Sequence, residues 1–297
     1  MQRFVIGLLA LAATLPASSA AWAQADLEKV EIKAEEIAPG VAVLFGAGGN
    51  IGVSYGPDAT VLIDDQFAPL SKKIEAAVAT LGAAPVKYVV NTHWHYDHTG
   101  GNENFGKTGA TIFAHDNVRV RMAGGGTIGG TVSPPAPKEA LPVVTYSQGM
   151  RFNINGDTIA LAYLGGGHTD GDSVVMWKEK NVVHMGDLFM TLNSFPFIDR
   201  ASGGDVYNLM RTIDLVLSTI DGETKVIPGH GPMSDKAGLT AWRAMIGQAV
   251  ARVEALHSDG KTLEQAVAAK PLADFNREDG FIKDDAFVRA IWASLEK

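Results

Sequence analysis

The stretch "NTHWHYDHTGGNENFG" at residues 91–106 decides the reading of the whole chain. It carries His93, His95, Asp97 and His98, four side chains able to hold a metal ion, in a protein with only 8 histidines. His93 and His95 are two residues apart just past an apolar run, and alternate side chains of extended backbone point the same way, so both can face one ion. Asp97 and His98 fall where the chain turns out of that conformation and face a neighbouring position. One ion rarely takes four ligands from so short a segment. Two adjacent ions can share them, and dinuclear hydrolytic sites hold metals about 3.5–4 Å apart.

Three more candidates lie at strand ends followed by glycine-marked turns: His168 in "GGGHTDGD", Asp187 in "HMGDLF" and His230 in "PGHGP". Alone, each reads most simply as a turn residue or a capped polar group. Beside the first cluster they read as further ligands, because loops at strand ends are where a rigid sheet gathers its chemistry. His115 has no partner of ligand type, which points to a structural or supporting role. His184 lies within a strand and reads as packed. His257 sits near a helix C-terminus, where a partly protonated imidazole suits the dipole. None of these three is assigned to the metal site.

The chain has 297 residues, of which 46% are hydrophobic and 20% charged, and no cysteine. Disulfides and thiolate ligands are thereby excluded, and a donor set of nitrogen and oxygen suits zinc. The net charge of -8 argues against a nucleic-acid partner and leaves a small-molecule substrate. At the N-terminus, Arg3, the apolar run "FVIGLLALAATL" (4–15) and the small residues of "PASSAAWAQA" (16–25) form a signal-peptide pattern. Cleavage after Ala23 satisfies the A-x-A rule through Ala21, with Ala20 and Ala25 as alternative ends, and the signal is read over 1–23 with a mature chain of 24–297. The run is short for a membrane span, so no stable membrane anchor is expected after cleavage, and a periplasmic location is. A buried N-terminal helix is the alternative.

Further along, strands and helices alternate. "VAVLFG" (41–46) and "IGVSYG" (51–56) predict a hairpin, and "ATVLIDDQ" (59–66) a buried strand ending in carboxylates. Leu70, Ile74, Val78 and Leu81 share a helical face that Gly82 can close. "VKYVV" (86–90) is the strand that delivers the opening motif, and "ATIFAH" (110–115) is another. Residues 122–142 break every periodicity with glycine and proline, which predicts a long loop, either a lid over the site or an exposed insertion. Strands resume at 158–165, 172–179, 181–187 and 224–231. Helices follow over the faces Val206–Ile220, Leu239–Val253 (capped by Ser234), after the capping box of Thr262 and Gln265, and Phe287–Leu295. With no repeat and no linker, this reads as one α/β domain with a helical C-terminal segment.

At "HWHYDH", "GHT", "GDLF" and "GHG" the chain resembles the metallo-β-lactamase superfamily, over roughly residues 40 to 235. The resemblance implies an αββα sandwich holding two zinc ions. It places His93, His95 and His168 on one, Asp97, His98 and His230 on the other, and Asp187 between them as a bridge. Asp187 stands where the best-known lactamases of the superfamily carry cysteine, so the ligand set looks closer to glyoxalase II and lactonases. The expected activity is hydrolysis of a β-lactam amide, with a lactone, thioester or other ester as the alternative and metal binding without turnover as a distant third. Zinc lowers the pKa of a bound water to about neutrality, and Asp97 is the expected catalytic residue, orienting that water and shuttling a proton. Selectivity is expected in the 122–142 and 190–204 segments, where Arg200 is a candidate carboxylate binder or a surface arginine.

Overall fold

The computed structural model describes residues 27–277 and 279–296. The expected signal segment and cleavage site lie outside the described residues. Two sheets make up the centre of the molecule. In the first, β1 (Lys33–Ala38), β2 (Val41–Phe45), β3 (Ile51–Ser54) and β4 (Thr60–Ile63) run as an antiparallel meander. Helix α1 (Ser71–Thr80) then crosses over to β5 (Val86–Val90), which pairs parallel to β4. The short helices α2 (Tyr96–Thr99) and α3 (Asn102–Lys107) follow, and β6 (Thr111–His115) pairs parallel to β5.

Helix α4 (Asp116–Gly124) leads into a hairpin of β7 (Gly126–Ile128) and β8 (Thr131–Ser133). Strand β9 (Val144–Tyr146) closes the first sheet beside β6, giving the order β1-β2-β3-β4-β5-β6-β9. The second sheet begins with β10 (Gly149–Ile154), β11 (Asp157–Tyr163), β12 (Ser173–Trp177) and β13 (Val182–His184), all antiparallel. After α5 (Val206–Leu217), β14 (Lys225–Ile227) joins β13 in parallel, and β15 (Ser234–Asp235) completes the order β10-β11-β12-β13-β14-β15. Helices α6 (Lys236–Ser258), α7 (Leu263–Ala268) and α8 (Asp284–Leu295) end the chain.

Inner strands such as β3, β4 and β13 are buried on both faces, and their alternation sorts each side chain into a layer. Val41, Val43, Val61, Ile63, Val90 and Phe113 point at the second sheet and meet Ile159, Leu161, Val175, Trp177, Val182 and Ile227. Their neighbours Ala42, Leu44, Leu62, Val89 and Ile112 point the other way, onto Leu70, Ile74, Ala77 and Val78 of the α1 region. On the far side, Val174, Val183 and Val226 pack under α5, α6 and α8. Helix, sheet, sheet, helix: the αββα sandwich is the observed architecture. Burying a side chain such as Ile63 or Ile74 fully stabilises the fold by about 1.5–3 kcal/mol.

Some local readings differ. Residues 122–142 are less irregular than expected, because a hairpin stands in them. Its turn residues Gly129 and Gly130 both take positive φ, 55° and 85°, which glycine alone adopts without strain, and these glycines hid the strands from any pattern of alternation. Ser234 does not cap α6. It pairs with Val226 in the sheet, and the side chain of Asp235 accepts the Gly238 amide instead. The capping box of Thr262 and Gln265 is present on α7.

Candidate metal centre

The sandwich is open at one end, and the loops leaving β5, β11, β13 and β14 meet there. His93 and His95 follow β5 in extended backbone, and His95 is the residue from which α2 starts; Asp97 and His98 lie in that helix. His168 follows β11, Asp187 follows β13, and His230 follows β14. All seven expected side chains come together. His93, His95, His168 and Asp187 form one group and Asp97, His98 and His230 a second; in each, one donor atom per residue lies within 4.8 Å of the others. The carboxylate of Asp187 faces both, with Oδ1 3.1 Å from His98 Nε2 and Oδ2 3.7 Å from His168 Nε2. The first group is buried, whereas Asp97 and His230 keep 25% and 21% of their side chains exposed and so face the mouth.

What fixes the imidazoles is a ring of partners behind them. Thr92 Oγ1 donates to Asp64 Oδ2, so it must accept from His93 Nδ1, 3.0 Å away. His98 Nδ1 donates to Asp64 Oδ2 at 2.7 Å, and His168 Nδ1 donates to the Phe197 carbonyl at 2.7 Å. His95 is turned round: its Nε2 donates to Asp199 Oδ2 at 2.9 Å. Each ring thus spends one N–H on the outside and turns its second nitrogen inward. Those inward atoms crowd together, His168 Nε2 and His95 Nδ1 at 2.9 Å and His98 Nε2 and His230 Nε2 at 3.3 Å. His93 Nε2 and Asp187 Oδ1 are buried without a hydrogen-bond donor. Such converging nitrogens and carboxylate oxygens need positive charge among them: protons on His98 and His230 supply it in the metal-free protein, and a metal ion can take their place. The residues therefore fit metal binding, and this donor set of five imidazoles and two carboxylates suits zinc.

The same field shifts the titrations. Burial, helped by the neighbouring His98 and His168 rings, pushes His93 well below its ordinary value, and burial takes His168 down to about 4. For His98 burial works the same way but loses to Asp187, Asp97 and Asp64, which hold the ring well above its ordinary value. His230 is likewise lifted to about 10, burial being outweighed by Asp187 and Asp97. Against burial, His230 and His98 keep Asp187 well below the usual carboxylate range, and His98 and His230 do the same more mildly for Asp97.

Several supporting residues escaped the sequence reading. Asp64 has a φ of 67°, a left-handed conformation uncommon outside glycine, and its two oxygens serve the Thr92 amide, the Thr92 hydroxyl and His98. Asp199, besides holding His95, accepts from Ser202 Oγ, which in turn accepts from Trp94 Nε1. Asp172 takes the amides of His168 and Thr169, and burial pushes its pKa to about 7. Asp64 was visible only as the carboxylate end of a strand; the other two carried no signal. Arg200, the expected carboxylate binder, points elsewhere. It donates to the carbonyls of Gly204 and Ala293, because Asp205 and the end of α8 offer it acceptors on the far side. His115 caps α4 and stacks on Tyr163, His184 is buried against the Asn50 carbonyl, and His257 packs on Trp292; all three stand apart from the two donor groups.

A family model for the metallo-beta-lactamase superfamily matches residues 46–230. A metallo-beta-lactamase type 2 of Bacteroides fragilis is 25% identical over 150 residues, which is 50% of this chain and 54% of that protein. The match thus spans about half of that relative. A hydroxyacylglutathione hydrolase of Methylococcus capsulatus is 26% identical over 224 residues, 73% of this chain and 77% of that one. Among solved structures, a metallo-beta-lactamase from Pontibacter korlensis superposes with a TM-score of 0.62 at 21% identity, covering 73% of this chain and 99% of the other. The DIM-1 metallo-beta-lactamase gives 0.61 at 19% identity, over 74% and 99%. At that identity the structural likeness speaks for the fold.

Proposed function

The chain belongs to the metallo-β-lactamase superfamily of metal-dependent hydrolases, and on that premise we propose that it holds two zinc ions and hydrolyses an acyl bond beside them. One observation carries the reading: four imidazoles anchored by their outward N–H groups turn their second nitrogens toward a shared, buried carboxylate. Zinc bound there would activate a water near neutral pH and polarise a carbonyl. The chain's own residues supply the rest. Asp97 is the more exposed of the two carboxylates that line the mouth, with Oδ2 3.3 Å from His230 Nε2. In this reading it orients the attacking water, takes its proton on the oxygen not turned toward His98 and His230, and returns that proton to the leaving group. Asp64, Asp199 and Phe197 hold the rings so that no reorganisation is needed as charge develops.

The β-lactam amide is the first bond to test, with a lactone, thioester or other ester as the second reading. The second is favoured by Asp187, which fills the bridging position with oxygen rather than sulfur, and by the greater span of the hydroxyacylglutathione hydrolase match. The experiment is turnover of a chromogenic cephalosporin by zinc-loaded protein, with and without chelator. Chelator-sensitive kcat/KM near about 10⁴ M⁻¹s⁻¹ or above marks a competent lactamase. Slow chelator-sensitive turnover marks a working centre built for another acyl bond. Asp97→Ala should abolish either activity without unfolding the protein, and an undiminished kcat would refute the assigned role. Export of the mature chain to the periplasm belongs to the same proposal; the N-terminal sequence of protein recovered from a periplasmic fraction tests it.

A further inference from the structure

We infer that the substrate is an acyl compound whose distal part, the part that lies in the cleft, is an uncharged alkyl chain or aryl group with no carboxylate on it. The inference rests on the hydrolase reading and names the substrate class of that same site. Above the donors lies a cleft of about 450 Å³, within the usual size range of small-molecule sites. Its walls are Phe67, Tyr96, Phe197 and Phe281, with Ile128 from the β7–β8 hairpin and Leu192 from the segment after Asp187. Apart from His95, Asp97, Asp187 and His230, which belong to the donor set, none of the lining residues carries a charge.

The arginines of the described residues that could have served are committed elsewhere. Arg200 is tied to the carbonyls of Gly204 and Ala293, Arg121 forms a two-pronged pair with Asp170, and Arg277 donates to the Ser194 carbonyl while lying over the Phe195 ring. A bound metal pair would attract an anion beside the donors, not at the far wall of the cleft. The rest of the substrate meets carbon. A carboxylate carried into that wall would lose its water and gain no partner, a penalty that outweighs any contact it makes.

The rim makes the same point from outside. Tyr96, Leu192 and Phe281 are 51%, 44% and 75% exposed. They converge on one mouth, where Phe67 and Tyr96 sit 5.7 Å apart and Phe197 and Phe281 6.3 Å apart. Large apolar side chains left together in water mark a surface that something apolar covers. Here they continue straight into the cleft, so the covering group is the distal part of the substrate.

The test compares γ-lactones bearing methyl, butyl and octyl chains, plus the octyl compound ending in a carboxylate, on zinc-loaded protein. Each buried methylene is worth about fourfold, so burial of even two of those added from methyl to octyl should raise kcat/KM about tenfold or more, and the gain should fall back when the carboxylate is added. A readout free of turnover is calorimetric binding of 2-octylcyclopentanone, which cannot be hydrolysed, to metal-free and metal-loaded protein. Phe281→Glu should weaken that binding and flatten the chain-length series, and Phe281→Arg should shift preference toward the carboxylated compound. Equal kcat/KM for the neutral and carboxylated octyl lactones, or no dependence on chain length, overturns the inference and leaves the hydrolase reading intact. Tight ketone binding with every substrate inert does the reverse.

Discussion

Asp199 illustrates how much of the centre is built by residues that never face it. Its carboxylate holds His95 by the outer nitrogen, 104 positions away in sequence. Replacing it with alanine should lower metal affinity about 10–100-fold, as loss of such partners typically does, while circular dichroism stays unchanged; competition against a fluorescent chelator reads the affinity. Protons give a second handle. In the metal-free protein His230 is lifted from 6.5 to about 10, burial being overcome by Asp187 and Asp97, so at pH 7 the ring is charged and metal must displace its proton. Apparent affinity should therefore climb with pH toward about 10, roughly tenfold per unit for each proton displaced. The same shift stabilises the metal-free fold fully below about 6.5 and is lost as pH rises through about 10. Calorimetry in buffers of different ionisation heat counts the protons, and a binding heat that ignores the buffer would sink the idea. The donors themselves were legible because four crowd one short motif and His168, Asp187 and His230 each follow a strand and stand next to glycine. Asp199 and Asp172 were not, since an aspartate in a loop looks the same whether it caps a turn or holds a ring in place.

Among the elements, the turn at Arg200–Ser202 shows why a charge cannot be placed from sequence alone. Arg200 follows the site segment and looks available, yet its guanidinium reaches Ala293 in α8 and ties the last helix to the chain before α5. Arg200→Ala should cost about 1–2 kcal/mol of stability. For a domain of this size that is a Tm drop of about 2–4 °C per kcal/mol, with KM unchanged. A raised KM with an unchanged Tm would instead return Arg200 to the substrate. Elements with strong periodicity, such as α1, α5 and the β2–β3 hairpin, stood in the sequence where the structure has them. Those missed are the exposed edge strand β1, the short β9, and β10 with its alternating half-exposed face. In these the apolar signal is too thin to separate from a loop.

For the molecule as a whole, the donors come from both sheets: four from the chain leaving β5, and His168, Asp187 and His230 from the second sheet. Metal binding therefore joins the two halves of the sandwich, and removing it should loosen both together. Zinc at about a hundred times its Kd adds roughly 2.7 kcal/mol to stability, so chelation should lower Tm by several degrees in one cooperative transition. An unchanged Tm would mean that the folded protein does not hold the metal. The strand order was the part no sequence pattern could supply. That β5 pairs with β4 and β6, and β13 with β14, depends on crossovers whose helices read alike in either sheet. The all-nitrogen-and-oxygen donor set also decides how the molecule ages. With no thiolate to form a sulfenic acid, peroxide has nothing to attack among the donors. Oxidative damage instead falls on thioethers, and Met190, 4% exposed in the cleft wall, is where sulfoxide would put a polar group among the aromatic rings and blunt the pocket while sparing the centre.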